Sequence, residues 1–394
     1  MRVFTFLALL PVILANPLQT RTTACNNSPD LCSKSYGEIT HLGAHDSPFV
    51  RDETTGNSLA GDQYYDTLTQ LSAGVRLVTA QVHKDNSQWR LCHSTCSLLD
   101  AGRLRDWLKD IKGWLDDNPN EVVTILLVNS DNASASDLNT EFTSANITDY
   151  AYEPEGNTAP KTWPTLQTMI DTGKRLVVFV APIDTDSAHP YLLNEWTYIW
   201  ENPYDVSFPS NFTCEVDRPS EYQGNSGAAL SANLLPLMNH FLYSSDFAML
   251  DIEYPNASYV ATTNAASGGV GNLGSTASAC KKAWGGRQPT FIMVDFFNRG
   301  PAIETVDNLN NVSNAVGRKS VSKSEEPTSG AAANENVFKA LVELAASARA
   351  GADVSMGNWI WTGGELGEFA WWRSFFLMFL YILVERLYSG STCP

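Results

Sequence analysis

From about residue 37 the chain alternates short apolar runs with stretches whose apolar residues recur every three or four positions. The runs are GEITHLGAH (37–45), GVRLVTAQVH (74–83), WRLCH (89–93), VVTILLVN (122–129), RLVVFVAP (175–182), FAMLDIEY (247–254) and TFIMVDFF (290–297). Most are dense in Val, Ile, Leu and Phe without clean alternation, the pattern of strands covered on both faces in a parallel sheet. The periodic stretches predict helices. In LLDAGRLRDWLKDIKGWLDDNPN (98–120), Leu104, Trp107, Leu108, Ile111 and Trp114 share a face, and Asn118-Pro119 ends the pattern. DQYYDTLTQLSAG (62–74), WPTLQTMIDTGK (163–174) and ALSANLLPLMNHFLY (229–243) are further candidates, the last with a kink or break expected at Pro236.

Strand–helix alternation over about 270 residues matches the size of one α/β barrel. A doubly wound open sheet is the alternative, often marked by a Gly-rich phosphate loop directly after a strand. GGVGNLGS (268–275) is Gly-rich but follows no convincing strand, and reads as a surface loop.

The ends of the chain differ in character. Residues 1–15, MRVFTFLALLPVILA, carry one Arg, an apolar run and a small residue, the pattern of a secretory signal peptide; a buried N-terminal helix is the alternative. The barrel is assigned to 25–316 and a polar linker to 317–336. Residues 337–394 hold an amphipathic helix and an apolar tail, Phe375 to Val384. That run is short for a transmembrane helix, and the polar ERLYSGSTCP after it departs from a lipid-anchor signal, so membrane attachment stays open.

Composition adds a compartment. Sequons at Asn26, Asn132, Asn146, Asn211, Asn256 and Asn311 and the seven cysteines suit a secreted or cell-surface glycoprotein. Six cysteines allow about 15 connectivities; spacing favours Cys25–Cys32, Cys92–Cys96 and a long-range Cys214–Cys280, leaving Cys393. With 26 Lys and Arg against 43 Asp and Glu the net charge is −17. That balance argues against nucleic acid and against electrostatic docking on anionic lipid.

The candidate chemistry sits at strand ends. HLGAHDSPFV (41–50) closes the first run with His45, Asp46 and Ser47, and His93 closes the third between Cys92 and Cys96. Two histidines from two strand ends can serve as general base and general acid, because the unperturbed pKa near 6.5 leaves both protonation states accessible. Each needs a partner to fix its tautomer. Asp46 is placed to reach across to His93. His41 shares a face with His45 and reads as packed; His189 and His240 show no constellation. A zinc site from His41, His45, Asp46 and His93 is the competing reading, although the spacing fits no common zinc motif.

GAHDS, then GVR on a strand, then a strand-end histidine and NPNEVVTILLVN (118–129), resembles the X domain of phosphatidylinositol-specific phospholipases C. The match runs from about residue 37 to 130, and the wording GVRLVTAQVH and LCHSTCSLLDAG is similar to secreted, fungal-type phospholipase-C-like phosphodiesterases. The resemblance implies a distorted TIM-type barrel in which His45 takes a proton from a substrate hydroxyl beside the phosphodiester. It implies that His93, supported by Asp46, protonates the leaving alkoxide, giving a cyclic phosphodiester. A late-strand aspartate would orient His45: Asp295, with Asp251 in reserve.

The chain departs from the family at the phosphate. Where bacterial members carry an arginine and eukaryotic members acidic calcium ligands, this sequence has Thr79 and Gln81, and a further acidic position is Asn129. No metal and no cofactor are therefore expected. Thr79, Gln81 and His83 lie on one strand face by the two-residue period, so Gln81, a cationic His83, Thr79 and Asn129 are the candidate phosphate-binding groups. The substrate expected is a phosphodiester or phospholipid, with membrane association through the tail. The alternative from another class is a non-catalytic wall or surface binding protein on a decayed barrel.

Overall fold

The computed structural model describes residues 24–244 and 254–323. Residues 1–23, which include the segment read as a signal peptide, most of FAMLDIEY with Asp251, and the tail from 324 with Cys393 lie outside the described residues. In chain order the elements are β1 His41–Ala44, α1 Thr67–Ala73, β2 Leu77–Asp85, β3 Gln88–Cys92, β4 Asp100–Arg103, α2 Leu104–Asp117, β5 Val123–Asn129, α3 Ala135–Ser144, α4 Leu166–Asp171 and β6 Leu176–Ala181. They continue with β7 Leu192–Asn194, α5 Glu195–Tyr198, β8 Ile199–Glu201, α6 Ser226–Ser231, β9 Leu235–Asn239, α7 Val260–Thr263, α8 Leu273–Ala283, β10 Phe291–Val294 and α9 Ala302–Asn310.

Eight strands pair in parallel in the order β7-β6-β5-β2-β1-β10-β9-β8. That is chain order around a ring with β10 returning beside β1, the connectivity of a (β/α) barrel. The ring is distorted because β7 and β8, joined through α5, are the two ends of the ladder. β3 and β4 form an antiparallel flap on β2.

The strands form where the apolar runs lie, and β1, β6, β9 and β10 are buried along their whole length. Helices on one side and barrel filling on the other exclude water from both faces. α2 buries Leu104, Trp107, Leu108, Ile111 and Leu115, while Trp114 is only half-buried. The turn before it pairs as β4 instead of extending the helix. Gly43 is required in β1: a Cβ there would meet Leu77 at 2.8 Å and the Ile292 carbonyl at 3.2 Å, so β1 can lie close between β2 and β10.

Two expectations are corrected. The segment 229–243 is not one helix: α6 ends at Ser231, and Leu235–Asn239 is a buried parallel strand. Pro236 fits there, since a proline that breaks a helix is tolerated where its missing N–H is not needed by a ladder. Residues 317–323, read as the start of a linker, are tied to the barrel. Arg318 ion-pairs with Asp307, and the Lys319 and Ser322 amides bond the Ser72 carbonyl and Tyr65 hydroxyl.

The disulfides Cys25–Cys32, Cys92–Cys96 and Cys214–Cys280 are all formed. Asn26 is buried and its Oδ1 accepts from the Val122 amide, so this sequon is closed to a glycan, whereas Asn132, Asn146, Asn211 and Asn311 are exposed.

Candidate active site

β1, β2, β3 and β10 deliver the site from their C-terminal ends or just beyond. His45 follows β1, Asp295 follows β10, and His93 follows β3. Asp46 takes a left-handed backbone (φ 45°), which Asp tolerates better than most residues. Its amide donates to Thr79 Oγ1 at 2.8 Å. Gln81 Nε2 donates to Asp46 Oδ2 at 2.7 Å, and Gln81 Oε1 accepts the Ser94 amide at 2.8 Å. Gln81 thus connects Asp46 to the His93 loop, which the Cys92–Cys96 bridge closes.

His45 Nδ1 lies 2.9 Å from Asp295 Oδ1, and the ring stacks on Phe241 with centroids 3.8 Å apart. His93 Nδ1 is 2.6 Å from the Ala60 carbonyl, which can only accept, so this nitrogen carries the proton in the neutral ring. Phe49 stacks against the other side of His93. Both Nδ1 atoms are therefore engaged. Both Nε2 atoms flank one carboxylate oxygen, Asp46 Oδ2, at 3.8 Å for His45 and 3.7 Å for His93. Asp46 serves the two rings evenly instead of reaching to His93 alone. Each side chain keeps an exposed edge, 12% for His45 and 8% for His93.

Burial is the largest influence on both rings and lowers the pKa of each. At His45 the Asp46 charge and then the Asp295 hydrogen bond more than offset it, leaving the pKa raised. At His93 burial prevails and the pKa is lowered. Asp295 is raised by burial, opposed by its bond to His45.

The remaining candidates are placed as follows. Thr79 is buried and supports the Asp46 backbone. His83 sits beside Asp131, 3.5 Å from Nδ1 to Oδ1, at the rim. Asn129 spends its amide on Ala133, whose N–H it accepts, and on the Ala133 and Pro182 carbonyls. It is not brought to the histidines. His41 is buried among Tyr36 and Phe291, bonds the Tyr36 carbonyl, and has its pKa lowered by burial to about 4. The four-residue zinc set is therefore not assembled. Nor do the calcium positions fit that ion: Thr79 Oγ1, Gln81 Oε1 and Asn129 Oδ1 each already accept a backbone amide.

Four residues of the site have no counterpart in the sequence reading. Asp62 lies behind both rings, Phe241 stacks on His45, and Gln63 donates to the His45 and Val294 carbonyls. Arg51 packs over Phe296 and donates to the Gly61 and Leu59 carbonyls. A signal existed for one of them. Asp66 caps α1, which leaves Asp62, four residues earlier, with no local helix role.

The family model described as PI-PLC X 1 matches residues 31–310. The chain belongs to the PI-PLC X-domain family. It is 34% identical over 308 residues to PI-PLC X domain-containing protein 1 of Arthroderma benhamiae, covering 77% of this chain and 94% of that protein. An uncharacterized secreted protein of the same organism is 37% identical over 305 residues, covering 75% of this chain and 66% of the relative. Among solved structures, the phosphatidylinositol-specific phospholipase C of Listeria monocytogenes superposes with TM-score 0.43 at 17% identity, covering 71% of this chain and 94% of that one. Among the described residues of this PI-PLC X-domain protein, no helix is long and apolar enough to cross a membrane.

Proposed function

We propose that this PI-PLC X-domain protein is a secreted or cell-surface phosphodiesterase that acts through His45 and His93 and forms a cyclic phosphodiester without calcium. The observation that carries the reading is that both Nε2 atoms lie within 3.8 Å of Asp46 Oδ2, each ring having its Nδ1 engaged by another group. Such a pair can attend the two oxygens of one phosphodiester. His45 Nε2 takes the proton of the hydroxyl neighbouring the phosphate. That oxygen attacks phosphorus, the bond to the leaving oxygen breaks, and His93 Nε2–H protonates it. Asp295 orients His45 and stabilises the imidazolium as it forms. Asp46, held by Gln81 and Thr79, faces the positive charge on whichever ring carries it. The imidazolium and the second N–H of Gln81 are the donors nearest the phosphate in this reading; Thr79 and Asn129 act as supports, and His83 stands at the rim.

The pKa directions fix the form of the pH dependence. The base must be neutral and the acid protonated, yet His45 is raised and His93 lowered, so the productive state is the minor one. The rate is expected to follow a bell. It falls on the acid side through the lower, His93-dominated value and on the alkaline side through the upper, His45-dominated value. A kcat/KM profile from pH 4 to 9 checks this; a rate rising monotonically across that window contradicts it.

The reading is tested by assaying the secreted protein on phosphatidylinositol, lysophospholipids and an aryl phosphodiester, with and without EDTA. Turnover of at least one substrate, unchanged by EDTA, is expected. Complete loss in EDTA restored by added calcium overturns the metal-free reading. No turnover on any substrate favours the binding-protein reading, which the commitment of Gln81 and Asn129 to the protein's own groups supports.

A further inference from the structure

Asp62 is the least satisfied charged group of the site. Its side chain is fully buried, and neither carboxyl oxygen has a hydrogen-bond partner among the described residues. Other buried carboxylates are treated differently: Glu121 bonds Arg76 and Glu141 bonds Arg105, each through two hydrogen bonds. A buried carboxyl left without partners loses its hydration with nothing in return, so packing alone gives no reason for Asp62.

Its position does. Asp62 Oδ1 lies 3.7 Å from His45 Nδ1, and Oδ2 lies 3.6 Å from His93 Nδ1. The backbone is pinned to aim it there. The Asp62 amide donates to the Phe49 carbonyl, in the turn that follows His45, and the Asp62 carbonyl accepts from Phe296, the residue after Asp295. Asp46 spans the two Nε2 edges, Asp62 the two Nδ1 edges.

We propose that Asp62 is a positioning residue that couples the two histidines, acting as one counter-group for the positive charge wherever the reaction puts it. The inference rests on the acid–base reading above. In that reading the charge begins on His93 and ends on His45. Asp295 touches only His45, so it cannot serve both states; Asp46 meets both rings at their Nε2 edges, and Asp62, nearly equidistant from both, meets them at their Nδ1 edges. The groups facing Asp62 are Asp46 and His45 after β1, Arg51 farther along that loop, His93 after β3 and Asp295 after β10; Glu201 of β8 acts on His45. Burial first, then Asp295 and Asp46, hold Asp62 toward its neutral acid, and Arg51 opposes them. An imidazolium on either ring, 3.7 Å away at His45 or 3.6 Å away at His93, adds an opposite charge that favours the ionised form of Asp62.

Asp62→Asn keeps shape and removes the ability to ionise. Proton NMR titration of the His45 and His93 ring resonances, assigned with the corresponding alanine variants, reads the coupling without substrate. Both pKa values are expected to fall in Asp62→Asn, because the carboxyl that can face each imidazolium is gone, with the thermal midpoint unchanged or raised. On a turned-over substrate, kcat should drop about 10- to 100-fold with KM little changed, and the alkaline limb should move to lower pH. Titrations matching wild type, or a shift at only one histidine, overturn the proposal even if the protein is an active phosphodiesterase. A shift at both in a protein without turnover supports the coupling while removing the catalytic reading. Should Asp62→Asn not fold, Asp62→Ser is read by the same titration.

Discussion

Replacing His45 with alanine is expected to lower kcat by about 10³-fold or more, on every substrate the protein turns over. The base has no substitute. Asp295, Asp62 and Asp46 are the nearest carboxyl groups, but Asp46 accepts from Gln81, and Asp295 and Asp62 lie on the Nδ1 side, away from Nε2. Their oxygens would also have to reach across the space the imidazole leaves. The variant should remain folded. It loses the stack on Phe241 and one charge-assisted hydrogen bond, together about 1–3 kcal/mol, from a residue outside the strand ladder. Steady-state kinetics beside a thermal melt separate the two effects. Activity within tenfold of wild type would remove His45 from the mechanism.

His93→Ala should split substrates by leaving group. With an alkoxide to expel, loss of the general acid is expected to cost about 10²- to 10⁴-fold. With an aryl leaving group on the same hydroxyl-bearing phosphodiester, the cost should shrink to about tenfold, because the phenolate departs without a proton. His45→Ala should show no such rescue, since attack by the hydroxyl still needs a base. The prediction follows from the Ala60 carbonyl, which holds the His93 proton on Nδ1 in the neutral ring and leaves Nε2 to gain and donate one. Equal losses on both substrates would assign His93 to binding or packing.

Between these two residues the sequence carried much of the answer. GAHDS was legible because a parallel barrel exposes the C-terminal end of every strand, so polar residues closing an apolar run stand out; His93 also closes an apolar run, but on β3, which pairs antiparallel with β2 as a flap. The disulfides were legible from spacing. Asp295 was readable as the only acid in TFIMVDFF, and the structure places it 2.9 Å from His45.

Other residues misled because their type does not report their partners. Thr79, from its strand face, and Asn129, from the family resemblance, were read as phosphate-binding groups, yet their hydrogen bonds close on Asp46, Ala133 and Pro182, and Gln81 keeps only its second N–H beside its bonds to Asp46 and Ser94. β9 was hidden by apolar residues that suit helix or strand equally. Only its place between β8 and β10 decided for strand, and that decision carries Phe241 to the face of His45.

Sequence by itself determined the alternation of strands and helices, the two strand-end histidines and the acidic net charge, because each is written in local pattern or residue type. Tertiary structure alone decided that Asp62 stands behind both histidines. Asp62 is 17 residues from His45 and 31 from His93 in the chain, and two backbone hydrogen bonds, to Phe49 and from Phe296, bring it there. Hydrogen bonds between distant backbone groups leave no periodicity and no motif, so the sequence could mark Asp62 as free of a helix role but could not show where it is aimed.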